Sequence, residues 1–94
     1  MKLNGLYWNI KHDTLPTDEA ESTLGLTCPA ELTIKIQHGL NDELERRTFI
    51  HELAHAICFS YGIHLENEEE ACEFVSDYFD LIKKIMKKFD KGGL

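Results

Sequence analysis

The sequence predicts an α+β fold, in which a small antiparallel β-sheet or hairpin packs on two antiparallel helices. Three observations support this class: apolar and polar residues alternate over residues 31–37, and helical patterns run over residues 42–61 and 68–89. With 94 residues, the chain has room for one domain with a small core, spanning residues 1–94.

Composition excludes several classes of function. Hydrophobic residues make up 43% of the chain and charged residues 29%, and no apolar run approaches the roughly 18 residues that a membrane span needs. The net charge of −7, from 17 acidic and 10 basic residues, argues against a nucleic-acid partner. Because the first residues contain no secretory leader, we expect a cytoplasmic protein. The odd number of cysteines, three, predicts buried free thiols.

The first predicted strand covers Leu6 to Ile10, a run of aromatic and β-branched residues. The connection that follows extends over residues 11–30 and contains Pro16, Gly25 and Pro29, with room for one helical stretch over residues 17–24. No chemistry is assigned to this connection.

The clearest strand pattern in the chain covers residues 31–37. Leu32, Ile34 and Ile36 lie on one face by the two-residue period, and polar residues lie on the other. One face would therefore cover the core, while the backbone edge of the strand would be free to pair with an extended peptide.

A first helix follows, with Asp42 and Glu45 as a capping box and Gly62 as its end. At 100° per residue, the two histidines of this helix fall away from its broad apolar face, and so point away from the core. That apolar face consists of Phe49, Ile50, Leu53, Ala56, Ile57 and Tyr61.

An H-E-x-x-H sequence lies in the middle of this helix. His51 and His55 are four residues apart, so both side chains project from one face, one turn apart, and can bind a single metal ion. This geometry suits zinc. Glu52 lies about 100° round the helix, where it can reach a water on the metal and act as a general base.

Catalytic zinc needs about three protein ligands and an open position, so a further ligand is expected downstream. Asn67 and Glu70 form a second capping box, which opens a helix from Glu68 to Phe89. Glu68 heads its apolar stripe and, in an antiparallel helical hairpin, would come level with His55. Glu69 is the alternative ligand. The stripe consists of Ala71, Val75, Tyr78, Ile82, Ile85 and Phe89.

The motif at His51 to His55, followed after residues 56–67 by Glu68-Glu69-Glu70-Ala71, resembles the gluzincin clan of zinc metallopeptidases, whose glutamate helix carries an E-x-x-A pattern. The short spacing looks most like the minigluzincins and the ImmA/IrrE-type metallopeptidases, which are common in prokaryotes and their phages. The resemblance covers about residues 31–82. It gives Glu68 the ligand position, and it gives the strand over residues 32–37 the task of pairing with the substrate backbone. Cys72 stands where many members have aspartate.

The function expected from these residues is hydrolysis of a peptide bond by a zinc-activated water. His51, His55 and Glu68 would hold Zn²⁺, and Glu52 would be the general base. The substrate would be a peptide or protein. The alternative is a metal-stabilised binding or regulatory module with little peptidase activity, because so short a chain leaves few residues for a specificity pocket. A donor to the oxyanion is expected among Tyr78, Tyr61, His64 and His38.

Overall fold

The computed structural model describes residues 1–15 and 24–94, apart from the side chain of Glu68. The helical stretch predicted over residues 17–24 lies outside the described residues, except for its last residue. Two helices and two small sheets confirm the α+β class. The chain divides into two units, Met1–Gly62 and Ile63–Leu94, which are described separately below.

The first unit begins with an antiparallel hairpin of β1 (Lys2–Leu3) and β2 (Leu6–Tyr7). Its turn residues, Asn4 and Gly5, both have positive φ, at 47° and 81°. Positive φ at both central residues is typical of the tight turns that match strand twist, and Asn-Gly favours them. The strand predicted over Leu6 to Ile10 is interrupted at Trp8. This residue is buried, and its indole N–H donates a hydrogen bond of 2.9 Å to the Ser60 hydroxyl.

A three-stranded sheet consists of β3 (Asn9–Asp13), β4 (Gly25–Cys28) and β5 (Thr33–Gln37), in the order β3-β5-β4. β4 pairs with β5 in antiparallel fashion, but β3 pairs with β5 in parallel. The prediction of a purely antiparallel sheet is therefore wrong for β3. Parallel pairing needs a long connection between the two strands, and in the sequence residues 14–32 separate β3 from β5.

The strand predicted over residues 31–37 begins two residues late. A single 3₁₀ turn over Pro29–Glu31 ends at Leu32, whose φ of 48° is incompatible with a strand. Ile34 and Ile36 are fully buried, as the alternation predicts. The free backbone edge is a wrong prediction, because β5 is the central strand and both of its edges are paired. Among the described strands of this sheet, β3 and β4 are the edges.

Helix α1 (Asp42–Tyr61) confirms the predicted span and its end at Gly62, which adopts the left-handed conformation with φ of 66°. Its cap is Asn41, not Asp42: the Asn41 side chain accepts a hydrogen bond of 2.9 Å from the Leu44 N–H. The helix packs on β1, β4 and β5. Within the predicted apolar face Ile50 is partly exposed, whereas the residues that form the core of the helix are buried: Phe49, Leu53, Ala56 and Ile57.

The second unit contains α2 (Glu68–Asp90), whose span agrees with the prediction. Asn67 caps it by accepting from the Glu70 N–H at 2.9 Å, and the Glu70 carboxylate accepts from the Glu66 N–H at 2.7 Å. The predicted apolar stripe is partly wrong, since Val75 is 52% exposed while Phe74 and Met86 are buried. Neither α1 nor α2, the helices of the described part of the chain, is long and apolar enough to cross a membrane.

The three cysteines are free thiols, as their odd number predicts. The expectation that all of them are buried is wrong, because Cys72 is exposed and Cys28 and Cys58 are half-buried. Burial raises the pKa of the Cys58 thiol.

Candidate metal centre

His51 and His55 lie on the exposed side of α1, as the helical period predicts. Both are exposed, and their ring centroids are 5.0 Å apart with the ring planes at 74°. The imidazoles are therefore neighbours one turn apart on a rigid helix. Two imidazoles at this spacing can supply half of a tetrahedral zinc site.

Glu52 differs sharply from its two neighbours in the motif, because it is buried, with only 8% of its surface exposed. A buried carboxylate is costly unless hydrogen bonds compensate it. The Thr27 hydroxyl provides this compensation, since it lies 2.8 Å from Glu52 Oε1. The other carboxylate oxygen, Oε2, is 3.9 Å from His51 Nε2. One oxygen of Glu52 therefore contacts β4, and the other lies on the side of the His51 imidazole.

Strand β4 lies so close to α1 at Gly25 that no side chain fits between them. A Cβ added at Gly25 would be 2.6 Å from Thr48 Cγ2 and 2.9 Å from Glu52 Cγ. Separations under 3.0 Å require atoms to move. The glycine thus sets the distance between the edge strand and the helix, and with it the space for the Glu52 side chain.

Two clefts meet at Glu52. One, of about 350 Å³, is lined by Leu24, Gly25, Arg47, Thr48, His51 and Glu52. The second, of about 330 Å³, is lined by Leu26, Thr27, Pro29, Glu52 and His55. Each cleft contains one histidine of the motif and one stretch of β4. A chain that follows the edge strand would therefore pass both imidazoles.

Gly25→Ala is expected to lower the melting temperature by about 5–20 °C, because overpacking typically costs about 1–3 kcal/mol and each kcal/mol corresponds to about 4–8 °C. The added methyl group must push aside Thr48 or Glu52. The measurement is thermal unfolding followed by circular dichroism, with Gly39→Ala as a comparison, since a Cβ at Gly39 meets nothing within 4 Å. Gly39 has φ of 79°, so its variant reports backbone strain alone. A Gly25→Ala variant as stable as the unchanged protein would refute the tight contact.

The third predicted ligand, Glu68, is the first residue of α2, and its side chain lies outside the described residues. Glu69, the alternative, is exposed. Among the side chains that the structure describes, no group of three His, Cys, Asp or Glu residues could hold a metal ion. The donor chemistry of His51 and His55 fits zinc, and the ligand role of Glu68 stays a prediction.

The four candidates for an oxyanion donor have contacts of their own. The His38 ring centroid is 6.4 Å from that of His12, and His64 Nε2 is 3.8 Å from a Glu66 carboxylate oxygen. Tyr78 packs against Phe74 with ring centroids 5.3 Å apart, and Tyr61 is half-buried at the end of α1. The oxyanion role stays a prediction for each.

Two residues of this site, Gly25 and Thr27, were not predicted from the sequence. Their segment is short, and a glycine at its start and Pro29 just after it favour an irregular connection over a strand. A signal was present in the run Leu26-Thr27-Cys28, which has the composition of a short strand, followed by a proline that ends it.

The sequence matches no protein-family model, and comparisons with curated proteins and with solved structures find no match either.

Proposed function

We propose that this protein is a zinc-dependent metallopeptidase with a minimal zincin arrangement, of the minigluzincin or ImmA/IrrE type. The observation that supports this function best is a contrast within about one helical turn: Glu52 is buried, whereas His51 and His55 on either side of it in the motif are exposed. A helix that served only for packing would gain nothing from a buried glutamate. A carboxylate held beside a metal has a clear chemical use.

His51, His55 and Glu68 are the residues that would hold the ion. Zinc, when bound, supplies a water of lowered pKa and polarises the carbonyl of the scissile bond. Glu52 Oε2 would accept the proton of the attacking water and pass it to the leaving amine. The assignment of Glu68 rests on the sequence spacing and on the resemblance to the gluzincins.

We assign to the edge strand β4 the substrate-pairing role that the resemblance implies for residues 32–37. Its outer backbone edge has no strand partner among the described residues, and its residues line both clefts at Glu52. An extended peptide could add to this edge through main-chain hydrogen bonds, which recognise a backbone without reading its sequence. We therefore propose a peptide or protein substrate that binds in extended form along Gly25–Cys28.

Zinc analysis of the purified protein, together with cleavage of a peptide library, tests this function. We expect one zinc per chain and cleavage that stops on chelation and returns with added zinc. Glu68→Ala should reduce the zinc content at least about tenfold, since removing one ligand of three weakens the site strongly. Glu69→Ala is the matched control and should retain the metal.

Each result separates the alternatives. Bound zinc without cleavage of any peptide would favour a metal-stabilised binding module. Loss of zinc in Glu69→Ala but not in Glu68→Ala would transfer the ligand role to Glu69. A protein that binds no zinc at all would overturn the proposal.

A further inference from the structure

We propose that Thr27 is a positioning residue, whose hydroxyl holds the Glu52 carboxylate so that Oε2 is directed toward the metal-binding imidazoles. This inference rests on the proposed peptidase function. The inference gives the edge strand β4 a second role in that function: besides offering a surface for the substrate, β4 orients the general base.

The contact that carries this inference is polar and short. Thr27 Oγ1 lies 2.8 Å from Glu52 Oε1 and 3.1 Å from the Glu52 backbone carbonyl oxygen. The hydroxyl has one hydrogen and two acceptors within reach. An ionised carboxylate is the stronger acceptor, and the carboxylate oxygen is also the nearer of the two. Thr27 therefore donates mainly to Oε1.

A glutamate needs such an anchor because its last torsion is soft. The terminal torsion of Glu has broad, roughly twofold wells, so an unanchored carboxylate rotates with little cost. With Oε1 held by Thr27, Oε2 stays 3.9 Å from His51 Nε2. One oxygen is then fixed on the protein and the other is free for proton transfer, which requires a heavy-atom distance of about 2.6–3.2 Å to its partner.

Gly25 complements Thr27 from the same face of β4. Residues two apart in a strand share a face, so Gly25 and Thr27 both face α1. A Cβ at Gly25 would lie 3.3 Å from Glu52 Oε2, so the glycine leaves room for the free oxygen while the threonine holds the other. The exposed residue between them, Leu26, faces the opposite way.

Thr27 could instead be only a structural link between β4 and α1. In that case its loss would loosen the strand, and substrate binding and stability would change with little effect on the chemical step. A positioning residue has the opposite signature, since a displaced general base lowers kcat and leaves KM nearly unchanged. The division between kcat and KM therefore separates the two roles.

The variants that test this are Thr27→Val, which is nearly isosteric and has no hydroxyl, and Thr27→Ser, which keeps it. We expect Thr27→Val to lower kcat about 10- to 100-fold, with KM within about twofold and the zinc content unchanged. Thr27→Ser should retain at least about half of kcat. The proposal is overturned by a Thr27→Val variant with unchanged kcat, or by a Thr27→Ser variant as impaired as Thr27→Val.

A second measurement needs no activity. In the zinc-free protein, Thr27→Val should lower the melting temperature by about 5 °C in the unchanged background and by less than half of that in a Glu52→Ala background, because the bond is already lost there. Additive effects would refute the contact. If the two substitutions have non-additive effects on the melting temperature and no peptide is cleaved, the proposed function fails and the contact stands. If their effects are additive and peptides are still cleaved, the contact fails and the proposed function stands.

Discussion

Glu52→Gln is expected to reduce peptide cleavage about 10²- to 10⁴-fold, the range that general acid–base catalysis contributes. The amide has nearly the same size as the carboxylate, and its oxygen can still accept the Thr27 hydrogen bond seen at 2.8 Å. It has no affinity for a proton at neutral pH. The zinc content and the melting temperature should therefore stay close to those of the unchanged protein. Turnover of a cleaved library peptide, measured with zinc analysis of the same sample, checks this.

Glu43→Gln is the matched control for the removal of a carboxylate from α1. Glu43 lies in the first turn of the helix, and its 3.6 Å contact with Arg47 is a solvent-exposed ion pair, which contributes little to stability. Its variant should cleave at the normal rate. Normal turnover in Glu52→Gln as well would remove Glu52 from the mechanism.

His51→Ala is expected to abolish zinc binding and to lower the melting temperature in zinc-containing buffer by about 10 °C or more. A ligand at about 100 times its dissociation constant adds about 2.7 kcal/mol to the free energy of unfolding, and each kcal/mol corresponds to about 4–8 °C at this chain length. The His51 side chain is 70% exposed, so its removal costs little packing. In chelator the variant and the unchanged protein should therefore melt at nearly the same temperature.

His12→Ala serves as the control for the loss of a histidine, because His12 contacts Glu45 and lies outside the motif. It should retain the metal. Full zinc occupancy in His51→Ala would refute the site. If the melting temperature of the unchanged protein did not respond to chelator, the chain would instead be a metal-free helical interaction domain.

The helices were predictable because their signals are local. Periodic apolar residues, Asn67 with Glu70, and Gly62 define the two helical spans to within a residue or two. The same local geometry predicts that His51 and His55 share one exposed face. Where the prediction of a cap failed, it failed by a single residue, with Asn41 in place of Asp42.

The strands were less predictable, because their partners are distant in the chain. The parallel pairing of β3 with β5 joins residues on either side of a long connection, and nothing in the local pattern of either strand specifies its direction. Leu32 has the composition of a strand residue, yet the 3₁₀ turn before it places it in the left-handed region. For the same reason the free sheet edge was predicted on β5. In the structure β5 is central, and the edge strand that packs on α1 at Glu52 is β4.

The local sequence pattern was enough to predict that His51 and His55 share one face of a helix with Glu52 next to them, because an α-helix converts a spacing of four residues into one shared face. The three-dimensional fold was needed to show that Glu52 is buried, that Thr27 donates to it, and that the strand containing Gly25 covers it. The hydrogen bond from Thr27 to Glu52 joins residues 25 positions apart. These contacts depend on which strand reaches the edge of the sheet, and this is decided by the pairing and packing of the whole first unit.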